Sequence, residues 1–286
     1  MARRAISAAL KPGEKAIKPV RANIGLRARY RRKLEYMLDQ MHWDVSETIL
    51  AAYAEAPPVA TAMAGDRTPS ERLAGIVRAL SAKWIRRINE GAQQLAEWFA
   101  LSVKQRSDIT LKRILREAGI SVRFKPTAAV VDAMTAGVIE NVSLIKSIPQ
   151  QYFTRIEGAV MRSAATGRDV GALTRELSSG YGITARRAKF IARDQTNKMT
   201  AVIVKTRQSE IGATHAIWRH SHGAHEPRPS HLAADGRRYE IDKGMYLEDV
   251  GGKWAWLQPG YAINCGCVSQ TIIPGLEDEF DEEDAA

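Results

Sequence analysis

The feature that most limits what this chain can fold into is a change of texture at Gly212. Before it, apolar residues return every three or four positions over long stretches, the spacing that lays one stripe along a helix. After it come short extended runs divided by glycine and proline, which is the pattern of strands and turns. Tyr30, Leu34, Met37, Leu38, Met41 and Val45 mark a helix over about 26–55, ended by Pro57-Pro58. Leu73, Ile76, Val77, Leu80, Trp84, Ile88, Leu95, Trp98 and Phe99 mark a second over 71–103, with Gly91 as either a break or a close contact. A shorter helix over 107–119 closes on glycine. Thr127 caps the next, Ile148-Pro149 breaks it, and two helical segments follow, the later one capped by Asp169 and leaving at Gly180 or Gly182. A last helix runs from Thr184 to Gly212.

The expected fold class is therefore α+β: a mainly helical N-terminal region followed by a small antiparallel-sheet module packed on a helix. The runs HAIWRH, RRYEI, GKWAWL and CVSQTII supply the strands. The expected boundaries are a basic arm over 1–25, a helical domain over 26–180, a module over 181–275 and an acidic tail over 276–286. A small sheet needs a covering layer, so the 184–212 helix goes with the module. Limited proteolysis is then expected to leave a fragment from about Tyr181 to Pro274.

Charge adds a partner class. The 286 residues carry a net charge of +10, and cationic side chains gain affinity for phosphate by releasing counterions. Arg27, Arg29, Arg31, Arg32 and Lys33 are crowded into seven positions, too dense for a solvated helix face alone, so DNA bound without sequence preference is an expected partner. No apolar run approaches the roughly 20 residues that cross a bilayer, and no membrane partner is expected. The two cysteines, Cys265 and Cys267, stand one residue apart. An intrachain disulfide at that spacing is badly strained, which points to a reducing compartment, the cytoplasm or a particle assembled there.

Two clusters stand out. In the 184–212 helix, Asp194, Gln195, Thr196 and Asn197 interrupt Phe190, Ile191, Val202 and Ile203. Either they lie on a wet face, or Asp194 and Asn197, neighbours at three-residue spacing, bond to the module that follows. Downstream, His215, His220, His222, His225 and His231 lie near Cys265 and Cys267, whose side chains share one side of a strand. His231, on the RPSH turn, is the histidine a returning final strand can meet. These three are expected to hold the module together by direct packing, each cysteine contributing about 1 to 3 kcal/mol. The second reading is a structural zinc ion held by two thiolates and an imidazole.

The order of motifs resembles the Mu F-like phage head morphogenesis, or minor head protein, family. The resemblance rests on Arg193 to Lys198 with Asp194 and Asn197, then Trp218, Arg228 to His231, Asp235-Gly236, Pro259-Gly260, and Asn264 to Cys267. It covers about Thr184 to Pro274. Gly266 stands where the family usually has arginine, and HGAHEPRP replaces the commoner acidic loop. The resemblance implies a non-enzymatic protein present in few copies in the phage head, associated with the portal protein and other head proteins. It also implies a role in head assembly or early DNA delivery. The chain would be found in the virion, and in the host cytoplasm during assembly. A metal-dependent nuclease or toxin-like hydrolase is the competing class, yet the chain has no HExxH, GxxxxGK[ST] or GxSxG. A general nucleic-acid-binding protein is the other.

Overall fold

A computed structural model describes residues 10–55, 68–165, 170–223, 226–249 and 252–275. The first residues of the basic arm, the Pro57-Pro58 stop, the Asp169 cap, His225 and the acidic tail lie outside the described residues. Four long helices come first: α1 (Ile24–Glu55), α2 (Pro69–Glu117), α3 (Ala128–Ala165) and α4 (Val170–Glu210). Asn23 accepts the Leu26 N–H at 2.8 Å and opens α1. Thr68 and Glu71 form a reciprocal capping box at the start of α2, and Thr127 caps α3 as expected.

The helices are fewer and longer than the sequence indicated. Gly91 does not interrupt α2: its cost of about 1 kcal/mol relative to alanine is small beside the buried run Trp84, Ile88, Ala92, Ala96 and Phe99. The same helix continues through Ser107 and Asp108, both buried. Pro149 sits inside α3 without ending it. Proline removes one N–H from the ladder, and nearby Ser147 Oγ donates to the Leu144 carbonyl at 2.7 Å. Gly180 is no exit either, because α4 passes over it while Thr184 Oγ1 donates to its carbonyl. A Cβ there would meet Ile156 Cδ1 at 3.4 Å, an ordinary contact, so a larger residue could also be carried through the helix.

The chain folds into two compact units that interleave in sequence, in place of the consecutive domains expected. One comprises Arg27–Phe99 and Val138–Ala192 and is helical. In its core Tyr30 stacks on Phe99 at 4.2 Å and donates to Asn141 Oδ1 at 2.7 Å. By length and composition α3 is apolar enough to cross a membrane, with 17% of its apolar window buried, although Asp132, Glu140 and Lys146 divide it into short apolar runs. Ile145, Ile148, Tyr152, Ile156 and Val160 on that helix are buried.

The other unit comprises Met1–Leu26, Ala100–Gly137 and Arg193–Ala286. Its strands are β1 (Glu14–Ala16), β2 (His215–Arg219), β3 (Arg238–Glu240), β4 (Met245–Glu248), β5 (Trp254–Leu257) and β6 (Val268–Pro274), with a short helix α5 (Pro229–Ala233) after β2. Four form an antiparallel sheet in the order β1-β6-β2-β3, and β4 and β5 pair as a separate two-stranded ribbon. The edge strand β1 falls within the segment expected to form the basic arm. It is instead paired, Lys15 opposite Ile273, and Ile17 and Val20 beyond it are buried. Arg238 forks onto Glu14 at 2.5 and 2.9 Å, and this bond holds the Glu14 carboxyl down at about 2.

Helix α4 anchors this unit through a guanidinium. Arg207, its side chain 1% exposed, donates to both oxygens of Asp108 at 2.8 and 3.0 Å, to the Lys125 carbonyl at 2.9 Å and to Glu210 at 2.5 Å. Its plane covers Phe124 at 4.7 Å. Next to it Gln208 donates to Ser269 and Thr271 of β6, each at 2.8 Å.

These contacts give two expected outcomes. Asp108→Ala leaves a buried cation without its main partner and should cost about 3 to 5 kcal/mol in denaturant melts. A 181–275 fragment lacks Asp108, Lys125 and β1, and should show no cooperative melt where the full chain does; a cooperative fragment would refute the interleaved unit. Because the folded value at Glu14 is depressed, its contribution is complete above about pH 4.5 and is lost as pH falls towards about 2. Glu14→Gln should therefore flatten the acid limb of stability over that window.

Candidate Cys/His site

The site is assembled by one face of α4. Asp194, Asn197 and Ala201 follow each other at three- and four-residue steps and so lie in one line along the helix. All three touch the loop between β5 and β6. Asp194 Oδ1 accepts the Asn264 N–H, Asn197 Nδ2 donates to the Cys265 carbonyl at 2.9 Å, and Ala201 leaves room for Gly260. Asp194, Gln195, Thr196 and Asn197 are all buried, which removes the wet-face reading of this stretch.

The loop needs two unusual backbone conformations. Gly260 has φ 86°, and a Cβ there would lie 2.9 Å from Ala201 Cβ and 3.2 Å from the Cys267 carbonyl oxygen. Asn264 has φ 56°, a region asparagine tolerates better than most side chains. Pro259 is buried at the turn entry. From the other side Arg228 Nη2 donates to the Ile263 carbonyl at 2.8 Å.

The second wall comes from the segment after β2. Trp218 is fully buried; its N–H donates to the Arg237 carbonyl, and its own carbonyl accepts the Gly236 N–H, each at 2.9 Å. Gly236, at φ 79°, makes that tight return. Asp235 accepts the His220 N–H at 2.8 Å and faces His222 Nε2 at 3.3 Å. Burial alone would raise its carboxyl, but the His220 amide, Arg219 and His222 hold it below the usual range. Proline at the start of α5 fixes the RPSH turn, which carries His231 inward.

There the chemistry converges. His231, Cys265 and Cys267 are 2%, 3% and 4% exposed, and their donor atoms lie within 4.8 Å of one another. His231 Nδ1 is 3.5 Å from Cys265 Sγ and 3.6 Å from Cys267 Sγ. The Cys267 amide N–H donates to Cys265 Sγ at 3.4 Å. The Cys267 thiol, with help from His231, holds Cys265 well below the ordinary thiol range, while Cys267 itself is pushed up. Trp218 meets His231 edge-on at 5.2 Å. Of the other described histidines in this region, His215 and His222 stand outside the cluster, and His220 is buried with Nδ1 accepting the His222 N–H.

With this geometry in place, residues 154–270 match the family described as Phage Mu protein F like protein. Over that stretch the chain is similar to the Mu F-like family. The Mu F-like region starts earlier than the motifs indicated, within α3. A 150-residue stretch is 33% identical to an uncharacterized protein of Haemophilus influenzae (strain ATCC 51907 / DSM 11121 / KW20 / Rd), covering 51% of this chain and 30% of that protein. The chain thus spans less than a third of the length of that curated relative. No solved structure matches.

Within the Mu F-like region, Gly266 has a local explanation. A Cβ there would lie 2.8 Å from Ser221 Oγ and 3.1 Å from Ser221 Cβ, so the segment entering the altered HGAHEPRP loop occupies the space an arginine would need. Sequence reasoning missed Arg207, Gln208 and Ser221. The first two, polar residues late in an apolar helix, carried the same signal as Asp194 and Asn197. Ser221 carried none.

Gly260→Ala combines a left-handed backbone with a clash and should cost about 2 to 4 kcal/mol. Asn197→Ala strands the Cys265 carbonyl and should cost about 1 to 3 kcal/mol, whereas Asn264→Gly should stay within about 1 kcal/mol of wild type. Thermal melts of the three variants check the order; a neutral Gly260→Ala would remove the packing argument for this loop.

Proposed function

We propose that this chain is a head-morphogenesis protein of a tailed phage. It acts as a structural component of the procapsid at the portal and not as an enzyme. The match of residues 154–270 to the Mu F-like family carries this reading. The site geometry supports it: the polar residues of the motif are spent on holding loops together, Asp194 and Asn197 on the β5–β6 loop, Arg228 on Ile263 and Asp235 on the His220 amide. A hydrolase would need such a carboxylate beside an open coordination position or a nucleophile. In the helical unit a cleft lined by Asp39, Trp43, Asp44, Lys83, Trp84 and Arg87 likewise has its Asp44 carboxylate engaged, by Lys83 at 2.8 Å and the Trp84 indole N–H at 2.6 Å.

Contact with packaged DNA is the second part of the proposal, with portal and head proteins as the macromolecular partners. Arg29, Arg31, Arg32 and Lys33 are exposed on α1, and Arg27 is half-buried. They are unequal. Arg31 pairs with Glu35 at 2.7 Å and Lys33 lies over Trp98 at 4.9 Å, while Arg29 and Arg32 have no ion pair among the described residues. Sequence-independent binding that weakens steeply with salt is expected, with Arg29→Gln and Arg32→Gln each lowering the salt slope by about 1. Arg31→Gln and Lys33→Gln should change it less; an unchanged slope in all four would move any DNA contact elsewhere. Mass spectrometry of purified procapsids and virions tests the assembly role, which fails if the protein is absent from both.

A further inference from the structure

We propose that His231, Cys265 and Cys267 bind a zinc ion that staples the α5 turn to the start of β6. This does not depend on the head-assembly reading. Zinc at about 2.3 Å from sulfur and 2.0 Å from nitrogen in tetrahedral geometry sets neighbouring donors roughly 3.5 to 3.8 Å apart. The two nitrogen–sulfur separations, 3.5 and 3.6 Å, already have that spacing. The donors arrive from segments more than thirty residues apart in the chain, and each is fixed by bonds that need no metal: Asn197 to the Cys265 carbonyl, Asp194 to the Asn264 amide, and proline at the start of α5.

Direct packing explains two buried cysteines, which behave as small hydrophobes. It does not explain the histidine. His231 turns Nδ1 towards both sulfurs and leaves Nε2 buried without a hydrogen-bond partner, so among the described residues the ring's polar contacts all go to the two sulfurs. Charge balance also favours zinc. On binding, the two thiols release their protons to solvent, and two thiolates with one Zn²⁺ and a neutral imidazole make an uncharged unit. That suits a cluster with Trp218, Ala234 and Tyr239 around it, and the Cys267 N–H to Cys265 Sγ bond supports thiolate there. His220 lies outside the three converging donors, so His231, Cys265 and Cys267 are the protein ligands of the proposed site.

The test uses the full-length chain purified without a histidine tag. About one zinc per chain is expected by elemental analysis. After stripping with chelator, added Co²⁺ should give a thiolate-to-cobalt charge-transfer band and the visible bands of a tetrahedral site. Cys265→Ser, Cys267→Ser and His231→Ala should lose both signals. If those variants fail to fold, the cobalt titration of wild type still decides. Folded wild-type protein that contains no zinc and gives no charge-transfer band with Co²⁺ overturns the proposal in favour of packing alone, and so does mass analysis that finds a Cys265–Cys267 disulfide.

Discussion

The C-terminal unit depends on a helix that buries polar side chains. From Asp194 to Gln208, α4 places a carboxylate, three amides and a guanidinium where solvent does not reach them. An unmatched buried polar group costs about 1 to 3 kcal/mol, and an unmatched charge more. Each group therefore demands a partner in a fixed place, and together they dictate where β6, the β5–β6 loop and the Asp108 stretch of α2 must go. Apolar packing tolerates sliding; directional bonds at several successive positions do not. The register of the sheet and the aim of Cys265 and Cys267 follow from that.

This explains what was legible in the sequence and what was not. The strands β2, β3, β5 and β6 announced themselves by composition, and the helices by their stripes. Three helical breaks were misplaced because Gly91, Pro149 and Gly180 were weighed for local propensity alone, while long buried stripes on both sides outweighed each local penalty. Strand β1 was hidden: Glu14, Lys15 and Ala16 have no strand pattern, and they pair because β6 offers an edge and Arg238 a bond to Glu14. The interleaving was also out of reach, since nothing in the residues around Arg207 says that its partner lies 99 positions earlier.

The site was read in better detail than the domains. Asp194, Asn197, Arg228, Asp235, Gly236, Gly260 and Asn264 all turn out to shape one pair of loops, because the motif lists the residues that those loops cannot do without. Glycines and an asparagine take positive φ, and polar side chains close backbone groups that no strand can reach. What the motif could not express is the neighbour that replaces a usual residue. Gly266 makes sense only beside Ser221, a contact between segments 45 positions apart.

The outward side of the β4–β5 ribbon extends this argument to the surface. Met245 and Leu247 turn inward to the same apolar cluster as the cysteines, so the alternation of the strand forces Tyr246 out, and Tyr246 gathers Trp254 and Trp256 at 5.5 Å each. These three side chains are 51%, 59% and 61% exposed. The burial pattern that fixes the cysteines' surroundings is thus also what holds three aromatic rings together in solvent. A change that loosens the Cys/His cluster should reach the surface through Met245 and Leu247 before it reaches α4, whose contacts to the loop are separate hydrogen bonds. Tryptophan fluorescence from Trp254 and Trp256 would then respond to the state of the cluster although neither ring belongs to it.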